Sequence, residues 1–217
     1  PDILLYVNGL PLVIMELKNP FNASVSITEA YQQLQTYQDD IADVFIYTQL
    51  QIISEGNLAR VGSLSADFER FSPWRVVDES VHRQLDFEME IDALLCHLLN
   101  PATLLDYVQN FIVFEQDGTG GIAKKCGIYH QYYAVNQAIQ CTKRATTTDG
   151  KIGVVWHTQG SGKSLSMLFY AGRVLATPEF ANPTLVIVTD RNDLDGPLFA
   201  TFSSGQDLLR QTPIQAD

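Results

Sequence analysis

Three charged residues near the start of the sequence have the types and spacing that could activate water for attack on a phosphodiester. Asp2, Glu16 and Lys18 fit the pattern D-x(13)-E-x-K. Two carboxylates can hold Mg²⁺, which prefers hard oxygen ligands. The metal lowers the pKa of a bound water and offsets charge at the phosphate, and the lysine can stabilise the charge that develops there. The pattern is typical of metal-dependent nucleases, although these three residues alone match many unrelated proteins of this size.

A second chemical signal is the glycine-rich loop HTQGSGKS at 157–164. Its glycines let successive backbone N–H groups converge on a phosphate, and the helix expected after it adds the positive end of its dipole. Lys163 can reach the β- and γ-phosphates of ATP, and the Ser164 hydroxyl can bind Mg²⁺. His157 departs from the pattern, which has glycine there. The alternative is a strand–helix turn with an incidental lysine. The residues expected to hold Mg-ATP are Thr158, Gln159, Gly160, Ser161, Gly162, Lys163 and Ser164.

A β-hairpin is predicted to position the nuclease-type residues, because two apolar runs flank the turn signal Asn8-Gly9. Glu16 and Lys18 are two residues apart and share one face of a strand. A two-residue loop would put Asp2 on the opposite face from Glu16. We therefore predict a three-residue loop, or a bulge with the same parity, which brings Asp2 onto the face of Glu16. The two apolar runs are Ile3 to Val7 and Leu10 to Leu17.

The rest of the pattern alternates helices and strands, which predicts an α/β fold. The turn residues QDGTGG at 116–121 are the best linker signal. Helices are expected over 26–40 with Thr28 as N-cap, within 80–99, over 103–110, over 129–144 and from 165 to 175. Strands are expected at 44–48, 51–54, 59–64, 111–114, 152–156 and 184–189.

The bulk composition restricts the class of protein. The chain carries 14 Lys and Arg against 25 Asp and Glu, a net charge of −11, which argues against broad phosphate neutralisation by this chain alone. Its three cysteines form no C-x-x-C pair, so we expect reduced thiols in a cytoplasmic protein. No apolar run is long enough for a membrane span, and no signal peptide is recognisable. The chain opens on Pro1 directly before an apolar run, so we expect it to be a piece of a longer protein.

Several runs of sequence, taken in order, resemble the restriction (R, HsdR) subunit of type I restriction–modification enzymes. The resemblance spans nearly the whole chain, and several motifs in register are more specific than any one alone. The runs are PDILLYVNGLPLVIMELKNP, QQLQTY, ARVGSLSADFERFSPWR, YHQYYAVNQAI, GVVWHTQGSGKSLSMLFYA and LVIVTDRNDLDGPLF.

The resemblance implies a PD-(D/E)xK restriction-endonuclease-like domain over 1–100, a helical connection over 101–127, and the first part of a RecA-like superfamily 2 helicase lobe over 128–217. Asp2, Glu16 and Lys18 would be the catalytic set, with Mg²⁺ on the two carboxylates. Gln33 and Tyr37, which are four residues apart and share a helix face, would be the accompanying Q-x-x-x-Y element. Gln131 would read the adenine of ATP.

The same resemblance implies cleavage of unmodified double-stranded DNA coupled to ATP-driven translocation. The expected partners are methylation and specificity subunits, and no association with a membrane is expected. Asp190 to Leu194 would belong to motif Ia, although a helix N-cap with solvated charges explains that segment equally well.

The sequence also departs from the family. No D-E-x-H motif follows Lys163, and the segment at 196–199 is altered. ATP hydrolysis needs groups of that kind to hold Mg²⁺ and to position water, so we do not expect ATP turnover by this chain alone. Two alternatives stay open: a P-loop kinase or simple ATPase with a structural first half, and a degenerate module that only binds partners.

Overall fold

The computed structural model describes residues 1–21, 26–78, 83–116 and 120–215. These residues form two compact units, Pro1–Val108 with Lys124–Tyr129, and Gln109–Ala123 with His130–Asp217. Helices and strands both occur, so the chain is mixed α/β as the sequence pattern predicts. In chain order the elements are β1 (Ile3–Val7), β2 (Leu10–Leu17), α1 (Ile27–Asp40), α2 (Ala42–Phe45), β3 (Leu50–Ser54), β4 (Ala59–Gly62), β5 (Val76–Asp78), β6 (Arg83–Leu85), α3 (Glu90–Ala93), α4 (Pro101–Asn110), β7 (Ile112–Gln116), β8 (Ile122–Cys126), α5 (Tyr129–Ala145), α6 (Lys163–Ala176), α7 (Asn192–Ser204) and α8 (Gln206–Leu209).

The first unit is built on a four-stranded sheet in the order β1-β2-β3-β4. Strands β1 and β2 form an antiparallel hairpin, β2 and β3 are parallel with α1 in the connection between them, and β3 and β4 are antiparallel. A parallel pair needs a crossover connection, which explains why a helix follows β2 rather than a second tight turn.

The hairpin turn has two residues, not three. Val7 pairs with Leu10, and Asn8 and Gly9 have φ of 51° and 82°, the positive values that a type I′ turn requires. The three-residue loop is therefore wrong. The register then shifts, because Tyr6 pairs with Pro11 but Leu5 pairs with Val13.

This bulge restores the register that brings Asp2 opposite Glu16. Pro11 has no N–H to donate to a ladder, so a proline at this point of the strand favours an irregularity. Beyond the bulge Ile3 pairs with Met15, which brings Asp2 opposite Glu16. The second form of the hairpin prediction, a bulge with the same parity, is thus confirmed.

Helix α1 covers one face of this sheet. Ala30 and Leu34 of α1 are fully buried, and they pack in one cluster with Ile14 of β2 and Ile53 of β3. The spacing of four residues between Ala30 and Leu34 is the spacing that gives a helix an apolar stripe. The core therefore forms on the same face of β2 that carries Glu16.

Three local predictions in the first unit are wrong. Helix α1 begins at Ile27, so Thr28 lies inside it, and Ser26 is the N-cap residue. The run 44–48 is not a strand, because helix α2 ends at Phe45 and buries that side chain in the core. The single helix expected within 80–99 is divided: Arg83–Leu85 pairs with β5, and helical residues begin at Glu90 and continue as a π-helix over Leu94–Leu98. Residues 79–82 lie outside the described part.

In the second unit, the helix expected at 129–144 is confirmed as α5. The strands expected at 152–156 and 184–189 are wrong, because neither segment has strand structure. Val154 and Trp156 are each 93% exposed and Val188 is 86% exposed. A strand needs a neighbour that satisfies its backbone groups, and within the described residues no strand lies beside either run.

Within the described residues, no helix combines the length and the apolar character that crossing a membrane would require.

The burial of Leu34 predicts a large effect of truncation. Leu34→Ala is expected to lower the free energy of unfolding by about 2–5 kcal/mol, because it leaves a cavity between α1 and the sheet. Urea denaturation followed by circular dichroism measures this. Gln32→Ala, on the exposed side of the same helix, is the control and should change stability by less than about 0.5 kcal/mol. Equal effects of the two variants would contradict the packing described.

Candidate functional site

Asp2 and Glu16 lie opposite each other at the open end of the hairpin. The Asp2 backbone N–H donates to the Met15 carbonyl at 3.1 Å, and the Leu17 N–H donates to Asp2 Oδ2 at 2.7 Å. Glu16 lies on the sheet face that α1 covers, because it is two residues from Ile14 and pairs with Ile53 of the core cluster. The bulge thus brings together two acids that are far apart in sequence.

Lys18 is held directly on Glu16. Its Nζ donates to Glu16 Oε1 at 2.7 Å. This hydrogen bond is the main cause of a raised Lys18 pKa, burial opposes it, and the charges of Glu16 and Asp2 add to it. All three residues of the D-x(13)-E-x-K pattern therefore interact in one place.

Glu16 has one oxygen that the protein does not satisfy. The side chain is only 4% exposed, and among the described residues its Oε2 has no hydrogen-bond partner. A buried carboxylate oxygen without a partner is costly. A divalent cation between Glu16 and Asp2 would satisfy it, and Mg²⁺ often takes only one or two protein carboxylates. Among the described residues, no group of three or more His, Cys, Asp and Glu side chains is placed to hold a metal ion.

Tyr37 comes to this site from helix α1. It packs half-buried against the core cluster, and it is among the groups that raise the Lys18 pKa. Gln33 lies one helical turn earlier on the same face and is also half-buried. The structure therefore places Tyr37 near Lys18, with Gln33 beside it on the helix, as the spacing predicts.

The glycine-rich loop in the second unit leads into helix α6, which begins at Lys163. Gly160 and Gly162 have φ of 80° and 75°, values that glycine adopts without strain. Lys163 Nζ donates to the carbonyls of His157 at 3.0 Å and Thr158 at 2.8 Å. The lysine thus folds back over its own loop, at the place where phosphates would bind.

The other residues of the loop have different environments. Thr158, Gln159 and Gly160 are exposed, and Ser164 is half-buried in the first turn of α6. Ser161 Oγ is buried, and among the described residues it has no hydrogen-bond partner. Exposed backbone N–H groups and an unused hydroxyl are consistent with an anion-binding loop.

Two residues of helix α5 contact this loop. Gln131 is 2% exposed, and its Nε2 donates to the Gly162 carbonyl at 3.0 Å. His130 Nε2 lies 3.1 Å from the Ser161 carbonyl oxygen, and its ring meets that of His157 edge-on at 4.9 Å between centroids. Burial, together with the charges of His130 and Lys163, lowers the pKa of His157. Gln131 is predicted from the sequence, whereas His130 is not, and its position next to Gln131 is the signal that could have indicated it.

Asp190 and its neighbours lie at the start of helix α7. Arg191 is the N-cap residue, and its guanidinium pairs with Asp193 at 2.6 and 3.0 Å, with both side chains exposed. The exposed ion pair fits the solvated-charge interpretation, whereas Arg191 makes no side-chain capping hydrogen bond.

Two family models match the chain. Residues 1–70 match the model described as the N terminus of the type I restriction enzyme R protein, and residues 130–217 match the model described as SWI2/SNF2 ATPase. The first match contains Asp2, Glu16 and Lys18, and the second contains the glycine-rich loop.

Curated relatives match nearly the whole chain. The endonuclease subunit of the type I restriction enzyme HindI from Haemophilus influenzae is 57% identical over 220 residues, which cover 100% of this chain and 21% of the relative. The putative MjaIXP endonuclease subunit from Methanocaldococcus jannaschii is 30% identical, covering 98% of this chain and 23% of the relative. A Staphylococcus aureus endonuclease subunit is 29% identical, covering 97% and 22%. The chain thus spans about a fifth of the length of these relatives.

The Glu16–Lys18 ion pair predicts that removing one of its charges lowers the free energy of unfolding more than removing both. Lys18→Met is expected to lower the free energy of unfolding by about 1–3 kcal/mol, because Glu16 is then left as an unpaired buried carboxylate. Adding Glu16→Gln to Lys18→Met should recover most of that loss, because no charge is then buried. Urea denaturation of the single and double variants measures this. The interpretation fails if the two losses simply add.

Proposed function

The chain belongs to the family of type I restriction enzyme R proteins, and on this premise we propose that its first unit is a metal-dependent DNA nuclease of the PD-(D/E)xK class. The observation that carries the proposal is the meeting of Asp2, Glu16 and Lys18, with a Glu16 oxygen that lacks a protein partner. The names of the relatives, which are endonuclease subunits, support the same assignment.

Asp2 and Glu16 would hold Mg²⁺, and Lys18 would act on the reacting phosphate. When bound, the metal would lower the pKa of a water and offset the charge of the phosphate. Glu16 would bind through its unpartnered oxygen while its other oxygen keeps Lys18 in place. Lys18 would then orient the water or stabilise the charge that develops on phosphate oxygens. Tyr37 and Gln33 would support Lys18 from the helix or contact the DNA backbone.

We propose that the second unit binds Mg-ATP through the glycine-rich loop. Lys163 would exchange the two carbonyls for the β- and γ-phosphates, Ser164 would bind Mg²⁺, and Gln131 would read the adenine. In the restriction complex this nucleotide site would drive translocation of double-stranded DNA. The partners would be methylation and specificity subunits, which would also account for an acidic chain without broad DNA attraction of its own.

Variants of the two lysines separate nuclease chemistry from the motor. In the protein that carries this chain, assembled with methylation and specificity subunits, Lys18→Ala should abolish Mg²⁺-dependent DNA cleavage and retain DNA-stimulated ATP hydrolysis. Lys163→Ala should abolish both, because cutting depends on ATP. Cleavage of unmodified plasmid and phosphate release are the two measurements.

The alternatives give different results in the same assay. A P-loop kinase or ATPase with a structural first half predicts that Glu16→Ala leaves DNA cleavage unchanged. A module that only binds partners predicts no cleavage and no nucleotide hydrolysis by the unaltered protein. Either result would replace the nuclease assignment.

Metal binding is testable in the chain alone. Ca²⁺ or Mg²⁺ should raise the thermal unfolding midpoint of the unaltered chain, because a ligand that binds only the folded state stabilises it. Glu16→Gln should remove that increase, since an amide is a weaker ligand for these ions than a carboxylate. Glu69→Gln, in the 3₁₀ turn at Phe68–Arg70, is the control and should keep the increase. A midpoint insensitive to both metals contradicts the site.

A further inference from the structure

Arg60 lies in the same row of the sheet as the candidate nuclease residues. Glu16 of β2 pairs with Ile53 of β3, and Ile53 pairs with Arg60 of β4. Directly paired residues in a sheet share a face, so Glu16, Ile53 and Arg60 form one line across β2, β3 and β4 on the α1 side. Neighbouring strands are about 4.8 Å apart, so Arg60 begins roughly 10 Å from Glu16.

The Arg60 guanidinium is fixed at one nitrogen and open at the others. Nη1 donates to Glu90 Oε2 and to the Ala59 carbonyl at 2.9 Å. Within the described part of the chain, Nε and Nη2 have no hydrogen-bond partner, and the side chain is 25% exposed. Glu90 Oε2 also accepts from the Ala59 N–H at 3.0 Å. Glu90 thus positions the guanidinium through Nη1 and leaves the Nε and Nη2 edge available, which is the edge suited to a phosphate.

Helix α1 brings further unused donors to the same side of the sheet. Tyr31 packs edge-on against Phe71, with 5.3 Å between the ring centroids. Gly62 of β4 lies against the same ring, because a Cβ at Gly62 would meet it at 2.6 Å. This side of α1 therefore faces β4. Gln35 is one turn beyond Tyr31 on that side, and Gln38 is one turn beyond Leu34. In both side chains Nε2 is buried, and among the described residues it has no partner.

We propose that Arg60 is a DNA-positioning residue that binds a backbone phosphate next to the scissile one, with Gln35 and Gln38 as neutral donors beside it. The proposal rests on the nuclease function proposed above. Lys18 would act on the reacting phosphate, and the chain has a net charge of −11, so a further local cation is needed to bind the neighbouring phosphate. Arg60 is a cation in line with Glu16 across the sheet.

A structural role is the competing explanation, in which Arg60 and Glu90 only join α3 to β4. Two variants separate these roles because both remove the same ion pair. Arg60→Ala removes the cation, whereas Glu90→Gln keeps it and removes its carboxylate partner. A structural role predicts that both variants behave alike, and thermal unfolding shows how much stability each loses.

The experiment is a salt titration of DNA binding by the chain. A short fluorescent duplex is titrated in Ca²⁺ rather than Mg²⁺, so that it is bound without being cut. Each phosphate contact contributes about −0.9 to the slope of log K against log salt. Arg60→Ala should therefore reduce the slope by about one and weaken binding about tenfold at low salt. Arg60→Lys should keep the slope, and Glu90→Gln should bind at least as tightly as the unaltered chain.

The outcomes separate failure of this proposal from failure of the nuclease assignment. If Arg60→Ala leaves the slope unchanged, or if Glu90→Gln weakens binding as much as Arg60→Ala, the proposal is overturned while Mg²⁺-dependent cleavage by the unaltered protein still supports the nuclease. If the unaltered chain shows no salt-dependent DNA binding and the protein that carries it does not cut, both are overturned.

Discussion

The parity of the β1–β2 hairpin is the constraint on which the first unit depends. Side chains alternate between the two faces of a strand, so a shift of one residue would move Asp2 away from Glu16. The type I′ turn at Asn8-Gly9 alone would produce that separation. The bulge at Pro11 adds one residue and reverses it. The same register holds Ile14 in the core beneath α1, so the site and the core depend on one irregularity.

Glu16 shows how a candidate functional residue is kept in a folded core. It is buried on a strand whose neighbours pack against α1, and only Lys18 compensates its charge. A hydrophobic residue at this position would satisfy the core better, because a buried ion pair recovers its desolvation cost incompletely. The unpartnered oxygen is therefore a stability cost that a bound cation would remove, and it is the strongest local sign that the strand carries chemistry.

The two lysines of the candidate sites are engaged in comparable ways. Lys18 is bonded to a carboxylate, and Lys163 is bonded to two carbonyls of its own loop. In each case the ammonium is held by acceptors from the chain, so phosphate binding would require an exchange of hydrogen bonds rather than an ordering of a free side chain. This arrangement reduces the conformational entropy that ligand binding would otherwise remove.

The motifs and the elements with clear periodicity follow from the amino-acid sequence alone. The spacing of Asp2, Glu16 and Lys18, the glycine-rich loop, and the helices at α1 and α5 all follow from residue types and short-range pattern. Element boundaries and short apolar runs do not follow in this way. Residues 44–48 have the composition of a strand, but the core position of Phe45 places it in helix α2. The runs at 152–156 and 184–189 have strand composition, but a strand also needs a neighbour. Packing decided that a bulge rather than a longer loop sets the hairpin parity. It also decided the approach of His130 to the glycine-rich loop and the alignment of Arg60 with Glu16. Register and contacts between distant segments depend on packing that no local pattern encodes.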